Sequence, residues 1–290
     1  IFGEGVMGTG AVAGATNNVG VGYHALAGVA SCDGNVAVGY DALGDIAVAE
    51  LRNIAIGESA MSLMDEGSGS DINYNIAIGF EAIKGHDKGS DGGAITDNIG
   101  IGYRALGHVD FASSTNPQVG TIGIGTSALA ALTSGAGNTT VGYQSQYAVT
   151  TGAYNTSFGY YALGTLVDGV RNTAIGYGAM QDTDSGTTVD ASEDNTFVGY
   201  TAGGSAWANE KVENIVGVGS QCLKGVLESA ANGTVAIGYS ALYALTSGAE
   251  NLAVGFEALK DMTTGSSNVA IGYQSMQDLY HASAAGNVAL

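Results

Sequence analysis

The chain of 290 residues has almost no proline, few cysteines and few basic residues. Its single proline is Pro117, and its two cysteines, Cys32 and Cys222, are too few for a disulfide framework. Only 8 lysines and arginines accompany 27 aspartates and glutamates, which gives a net charge of −19. A field of this sign repels nucleic acid and anionic membrane surfaces, so we expect neither as a partner. The sequence also lacks an apolar run of about 18 residues, so we expect no membrane span.

Glycine, by contrast, is abundant, with 48 copies, and it marks a repeat. The segments NVAVGYDAL (35–43), NTAIGYGAM (172–180) and NVAIGYQSM (268–276) differ at only a few positions. Alignment on the central glycine gives 14 copies that are 17 to 23 residues apart, with 17 as the base unit. The motif glycines are Gly22, Gly39, Gly57, Gly79, Gly102, Gly125, Gly142, Gly159, Gly176, Gly199, Gly219, Gly238, Gly255 and Gly272.

Positions counted from the motif glycine form columns of like residues. Positions −3 and −1 are mostly β-branched and position −2 is mostly Gly or Ala, a period of two that predicts a strand. Position +1 is aromatic and position +3 is Ala in 11 of 14 copies each. Position −4 is Asn in 11 of 14 copies, namely Asn18, Asn35, Asn53, Asn75, Asn98, Asn138, Asn155, Asn172, Asn195, Asn251 and Asn268.

A 17-residue unit has room for two short strands and two turns, and the central glycine disfavours a helix. One such unit cannot bury its apolar face alone, whereas a stack of units can. We therefore predict an all-β protein: a single repeat domain, 1–290, folded as a parallel β-solenoid or β-roll of about 14 coils. Glycine would form a corner, and the asparagines would form a hydrogen-bonded ladder and tolerate a left-handed turn before each strand.

Two features suggest self-association. Position −2 should face outward, opposite the β-branched pair, and its smooth row of small residues suits packing against another copy. The sequence also begins and ends inside a repeat, at Ile1-Phe2-Gly3 and Asn287-Val288-Ala289-Leu290. Open sheet edges invite pairing, so we expect a truncated array: either neighbouring domains were removed or subunits stack head to tail.

The motif N-[TVI]-A-[IV]-G-Y-x-A-L resembles repeats of phage and bacterial tail-fibre-like proteins. It is also similar to the N-x-x-x-[IV]-G coils of trimeric autotransporter adhesin heads, which are left-handed parallel β-rolls. The resemblance implies a left-handed coil and a homotrimeric, elongated, extracellular structure on a cell surface or virion. The coil is longer than the adhesin-head type, and no anchor, stalk or chaperone domain is visible.

Catalytic and cofactor motifs are missing. The G-x-G-x-x-G at residues 3–8 is expected by chance among so many glycines, so we predict no enzyme and no organic cofactor. The insertions between coils are acidic, and one of them groups five carboxylates that calcium could use: Asp182, Asp184, Asp190, Glu193 and Asp194. The alternative for these residues is a solvated acidic edge that maintains solubility. Cys32, in a predicted loop, could link two subunits, whereas Cys222 occupies the small-residue column.

Three functions remain in view. The leading one is a structural, non-enzymatic fibre: a tail fibre, an adhesin head or a self-assembling surface filament. The alternative is an adhesin module that binds a receptor or glycan through its insertion loops, with Trp207 as the one tryptophan available for a sugar. An ice-binding solenoid would use the threonines at position −3, which we expect to point inward: Thr139, Thr156, Thr173 and Thr196.

Overall fold

The structure is a computed structural model. It describes residues 15–28, 32–44, 51–62, 72–85, 94–107, 118–181, 192–205, 207, 211–279 and 285–290. The chain divides into two compact units, Ile1–Gln144 and Ser145–Leu290. The expectation of one repeat domain stays a prediction.

The described residues of the first unit form ten strands. Seven of them have three residues, end just before a motif glycine and pair in parallel with the strand of the next repeat. The other three have two residues and form a small parallel sheet of their own. The ten strands are Val19–Val21 (β1), Val36–Val38 (β2), Ile54–Ile56 (β3), Ile72–Asn73 (β4), Ile76–Ile78 (β5), Ile95–Thr96 (β6), Ile99–Ile101 (β7), Gln118–Val119 (β8), Ile122–Ile124 (β9) and Thr139–Val141 (β10).

In the described part of the second unit, eight strands form one parallel sheet, and successive strands pair with each other. They are Thr156–Phe158 (β11), Thr173–Ile175 (β12), Thr196–Val198 (β13), Val216–Val218 (β14), Val235–Ile237 (β15), Leu252–Val254 (β16), Val269–Ile271 (β17) and Val288–Ala289 (β18). Where the structure describes this unit, the one helical element is a single 3₁₀ turn, Ser229–Ala231. The predicted fold class, an all-β parallel solenoid, is therefore confirmed.

The strands stack in register, so that equivalent positions of successive repeats lie side by side. Ala236 pairs with Ala253, and Ala253 in turn pairs with Ala270. Across the described residues, the parallel solenoid has about 11 turns. The number of turns is thus slightly lower than the 14 coils predicted from the motif count.

The prediction of two strands per coil is wrong for most of the chain. Among the described residues, a second strand accompanies the first at β4, β6 and β8, and some other coils have isolated bridges such as Val170 to Glu193 in its place. The segment after the glycine is a run of turns, with positive φ at positions +2 and +4, as at Asp41 and Leu43. Its amides still bond between coils: Leu43 N donates to the Ala60 oxygen at 3.0 Å.

The motif glycine forms a corner that no other residue could form at low cost. All 14 glycines have φ between 130° and 146°, which L-residues rarely adopt. A Cβ atom on Gly238 would also lie 2.2 Å from the carbonyl oxygen of Gly255 in the next coil. Both the backbone angle and the close approach of coils therefore explain why glycine recurs.

The asparagine ladder is confirmed, with one correction. The Asn53 side-chain oxygen accepts hydrogen bonds from Asn75 N at 2.9 Å and from Asn75 Nδ2 at 3.1 Å. Asn53 Nδ2 in turn donates to the Ile72 carbonyl at 2.8 Å, within the turn that leads into Asn75. The left-handed residue expected at the asparagine is instead the residue before it, such as Arg52 or Tyr74.

The strands have the opposite orientation from the one predicted. Position −2 is buried in every repeat, including Ala37, Ala174 and Ala253, whereas positions −3 and −1 are partly or fully exposed. Because the interior is filled by the Leu or Met at position +4, as at Leu163 and Leu259, it leaves room for little more than a methyl group opposite. The β-branched side chains therefore point away from the core.

Candidate functional site

The strand face that points away from the core is apolar. In the second unit, Ile175, Ile237 and Ile271 at position −1 are each about two-fifths exposed, at 39%, 40% and 39%. None of the residues at positions −3 and −1 is charged anywhere in the chain. We call these two columns, together with the aromatic column at position +1, the outward face.

This face replaces the seam predicted at position −2. Because the small residues there are buried inside the solenoid, they cannot contact another copy, and the predicted small-residue seam is wrong. The prediction that the threonine column points inward is wrong for the same reason. Thr156, Thr173 and Thr196 are partly exposed and lie side by side on β11, β12 and β13.

Aromatic rings form stacks along the edge of the outward face. Tyr160 and Tyr177 have ring centroids 5.1 Å apart, and Tyr177 and Tyr200 are 5.5 Å apart, with interplanar angles of 3° and 18°. Tyr239, Phe256 and Tyr273 form a similar stack. Because neighbouring rings cover each other's faces, they present mainly their edges and hydroxyl groups. A flat ligand such as a sugar ring therefore finds few free aromatic faces here.

Trp207 is equally unsuited to sugar binding. It is fully buried, and its indole nitrogen donates to the Gly203 carbonyl at 3.1 Å. The insertion loops of the adhesin alternative lie largely outside the described residues.

The calcium candidates divide into two groups. Asp182, Asp184 and Asp190 lie outside the described residues, while Glu193 and Asp194 form ion pairs. Arg171 donates to Asp194 Oδ1 at 2.7 Å and to Glu193 Oε2 at 2.8 Å. Within the described residues, no group of three or more His, Cys, Asp or Glu side chains is placed to hold a metal ion. Calcium binding at this loop stays a prediction.

These ion pairs bridge successive coils. Lys211 contacts Glu193 and also Glu213, at 2.5 Å, so two cations and three carboxylates form one exposed network. The hydrogen bond from Lys211 lowers the pKa of Glu193, and the one from Arg171 lowers the pKa of Asp194. These carboxylates are therefore engaged in ion pairs and do not form an open metal site. We call the network of Arg171, Lys211, Glu193, Asp194 and Glu213 the charged clamp.

Both cysteines are buried. Burial raises the pKa of the Cys222 thiol to about 12, so it is unreactive at neutral pH. Cys32 is also fully buried, which argues against the link between subunits that the sequence left open. The segments 138–140 and 155–157 match the glycosylation pattern N-x-[ST], but Asn138 and Asn155 are buried ladder residues and are therefore inaccessible.

Sequence reasoning missed two departures from the repeat inside the second unit. Ser145 and Gln146 place polar groups in the core columns, and Phe197 stands where other repeats have a small residue. A signal was present for the second: position +4, which is Leu or Met in most repeats, is Gly203 just after Phe197. The larger side chain at position −2 of this repeat is thus accompanied by a smaller residue at position +4.

In the described part of the chain, no helix has the length and apolar character needed to cross a bilayer. Because its uncharged β-branched side chains are exposed beside stacked aromatic rings, the outward face is the candidate site that the geometry supports best. No protein-family model, curated protein or solved structure matches this chain.

Proposed function

We propose that the protein is a structural, non-enzymatic, extracellular fibre component whose chains associate with one another through the outward face. The observation that carries this proposal is the exposure of uncharged β-branched columns beside stacked aromatic rings. An antiparallel or solenoid sheet that meets water normally carries polar residues on that face. Here the β-branched residues at positions −3 and −1 face outward, while the small residues at position −2 face the core.

The area of the face supports association. Eight strands about 4.8 Å apart, with a width of about 15 Å including the aromatic column, give about 500 Å² in the second unit. The largest apolar patch on a typical monomeric protein is about 300–600 Å² and is often an interaction site, so the outward face has the size of such a site. A second copy of the chain fits such a face, because identical columns with the same spacing can interlock along their length.

The backbone supports a mechanical role. Parallel ladders run from coil to coil within each unit, and the asparagine amides add a second buried row of bonds. Pulling a coil away from its neighbour must break both rows together. The resemblance to adhesin heads makes a homotrimer the form we propose first, with head-to-tail polymerisation as the other form of self-association. We propose a cell-surface or virion location on the same resemblance.

The oligomeric state tests this proposal. Sedimentation equilibrium of the purified chain should give about three times its 28.8 kDa mass. Replacing Ile175 and Ile237 together by lysine should convert it to monomer, because each copy would then bury charge in an apolar seam. The matched control is Ala230→Lys, an exposed residue of the 3₁₀ turn, which should leave the oligomer intact. A wild-type chain that stays monomeric at high concentration would contradict the proposal.

A second candidate, ice binding, is favoured by one observation: Thr156, Thr173 and Thr196 form an outward row. Thermal hysteresis measured on the monomeric lysine variant and on wild type separates the two ideas. A wild-type monomer with hysteresis that is lost in Thr173→Lys would favour ice binding over the fibre. For the receptor-binding alternative, cutting the insertions back to 17-residue coils should abolish cell attachment if the loops carry it.

A further inference from the structure

The coil around Phe197 has an interior unlike its neighbours. Other coils of the second unit combine a small residue at position −2 with a bulkier side chain at position +4, whereas this coil has Phe197 and then Gly203. The Phe197 ring is fully buried and packs against Trp207, with ring centroids 5.7 Å apart. A Cβ on Gly203 would lie 2.6 Å from Phe197 Cε1, so the ring fills the space that leucine occupies elsewhere.

The same ring also reaches the next coil. A Cβ on Gly217, at position −2 of β14, would lie 2.6 Å from Phe197 Cδ1, much closer than the roughly 3.5–4.0 Å of a normal carbon contact. The remaining full-length strands of the second unit carry Ser157, Ala174, Ala236, Ala253 and Ala270 at this position. Among the strands that come after β13 in this unit, β14 is therefore the one whose position −2 leaves room for the Phe197 ring.

A polar coil shows the same complementarity by a different interaction. Ser145 and Gln146 occupy columns that hold Ala and Leu elsewhere, and both bond to Ser157 of β11: the two serine hydroxyls lie 2.7 Å apart and Gln146 Nε2 donates at 2.9 Å. If β11 were bypassed, Ala174 would take the place of Ser157. Both hydrogen bonds would then be lost in a buried site, where unpaired polar groups are unfavourable.

These two coils matter because the rest of the stack is nearly degenerate. Strands β15, β16 and β17 all have alanine at position −2. If the chain skips one of these coils during folding, alanine still lies beside alanine. Columns of identical residues stabilise every register equally, so they cannot select among registers.

We infer that the Phe197–Gly217 contact and the Ser145–Gln146–Ser157 contact determine which coil stacks on which. They act as register locks: each is satisfied by the correct neighbouring coil and penalised when that coil is skipped. This role is independent of the proposed fibre function, because it concerns the folding of one chain.

Disulfide trapping during refolding tests the Phe197 lock. In a chain with Cys32→Ala and Cys222→Ala, the pair Thr196→Cys and Val216→Cys reports the native register, since these residues oppose each other on β13 and β14. A second chain with Thr196→Cys and Val235→Cys reports a skipped coil. Its residues belong to next-nearest strands, about 9.6 Å apart in the native stack and too far for a disulfide. Refolding at high dilution keeps the crosslinks within one chain.

We expect the native-register chain to crosslink and the skipped-register chain to stay near background. Replacing the lock by the consensus coil, through Phe197→Ala, Gly203→Leu and Gly217→Ala, should raise the skipped crosslink about tenfold, which corresponds to about 1.4 kcal/mol of selectivity. Equal skipped crosslinking with and without the lock, in chains that both refold, would overturn the inference.

A milder variant covers the case in which the consensus coil fails to fold. Ala236→Gly leaves the lock and its native partner intact but removes the methyl group that excludes β15 from β13. It should also raise the skipped crosslink between positions 196 and 235, whereas Ala253→Gly, one coil further on, should not. If Ala236→Gly and Ala253→Gly behave alike, the steric basis of the lock is wrong.

Discussion

Two regions of the second unit share a backbone and differ in their interiors. Between Val235 and Ile271 the coils are regular, with alanine and leucine in the core columns, whereas between Thr196 and Leu223 the core contains phenylalanine, glycine and cysteine. The ladders are nevertheless alike: Gly255 N donates to the Ile237 oxygen at 2.7 Å, and Gly199 N donates to the Ile175 oxygen at 2.8 Å. The corner and the backbone ladder therefore define the fold, and the core requires only that the total side-chain volume be similar from coil to coil.

If the corner defines the fold, its glycine should tolerate substitution least. Gly238→Ala should destabilise the protein by about 4 kcal/mol or more, because its Cβ would meet the Gly255 carbonyl oxygen as well as a positive φ. At Gly272 nothing lies within 4 Å of an added Cβ, so Gly272→Ala should cost only the backbone strain, about 1–3 kcal/mol. Urea unfolding of both variants measures the difference, and equal losses would show that the close approach of coils is unimportant.

The second prediction transfers the unlike interior into a regular coil. Ala253→Phe should destabilise the protein by about 3 kcal/mol, because Leu259 and Ala270 fill the space that Gly203 and Gly217 leave free beside Phe197. Adding Leu259→Gly and Ala270→Gly should recover part of that loss. Thermal unfolding of the single and triple variants is the measurement. A triple variant no more stable than Ala253→Phe alone would mean that volume compensation does not explain the Phe197 coil.

The asparagine ladder offers a third contrast within the same unit. The Asn172 side chain accepts from Asn195 N at 3.2 Å and donates to the Ser192 carbonyl at 2.8 Å, so Asn172→Ala leaves buried partners unpaired and should cost about 2 kcal/mol. At Thr234 the ladder is weak, with the Oγ1 to Asn251 N distance at 3.5 Å, and Thr234→Val should cost less than about 1 kcal/mol. The denaturant midpoints of the two variants measure the difference. A similar loss of stability at both sites would show that the asparagine ladder does not stabilise the protein more than the threonine does.

The repeat period, the parallel register and the ladder were predictable because each follows from spacing alone. Gly22 to Gly272 recur at distances that only a stack explains, and an asparagine column has an obvious use in such a stack. The direction of the side chains was not predictable in this way. Alternation shows that Val36 and Ala37 point to opposite sides, but which side is the core depends on what the facing wall supplies. Here Leu43 and its equivalents fill the interior, and their direction depends on the turn after the glycine, whose conformation the repeat spacing does not determine.

The fit of Phe197 against Gly217 and the ion pairs of Arg171 could not be predicted from the sequence for a related reason. Phe197 and Gly217 are 20 residues apart, and their fit depends on the stacking of coils of unequal length. The sequence predicts Glu193 and Asp194 as calcium ligands because it places them beside other carboxylates. The neighbouring coil instead brings Arg171 to them, a contact that sequence proximity does not reveal.

The smallest expected effect distinguishes this charged clamp from the uncharged ladder beside it. Because the folded pKa values of Glu193 and Asp194 lie below their ordinary values of 4.5 and 3.8, the clamp stabilises the protein above those values. That contribution is lost as the pH falls through the lowered pKa values. Arg171→Gln should therefore lower the melting temperature slightly at pH 7 and have no effect near pH 2. The control is Arg52→Gln, whose guanidinium bonds to the Tyr74 hydroxyl at 2.9 Å, so its effect should not change across the acid range. A pH-independent effect of Arg171→Gln would show that the ion pairs contribute nothing to stability, as many exposed pairs do not.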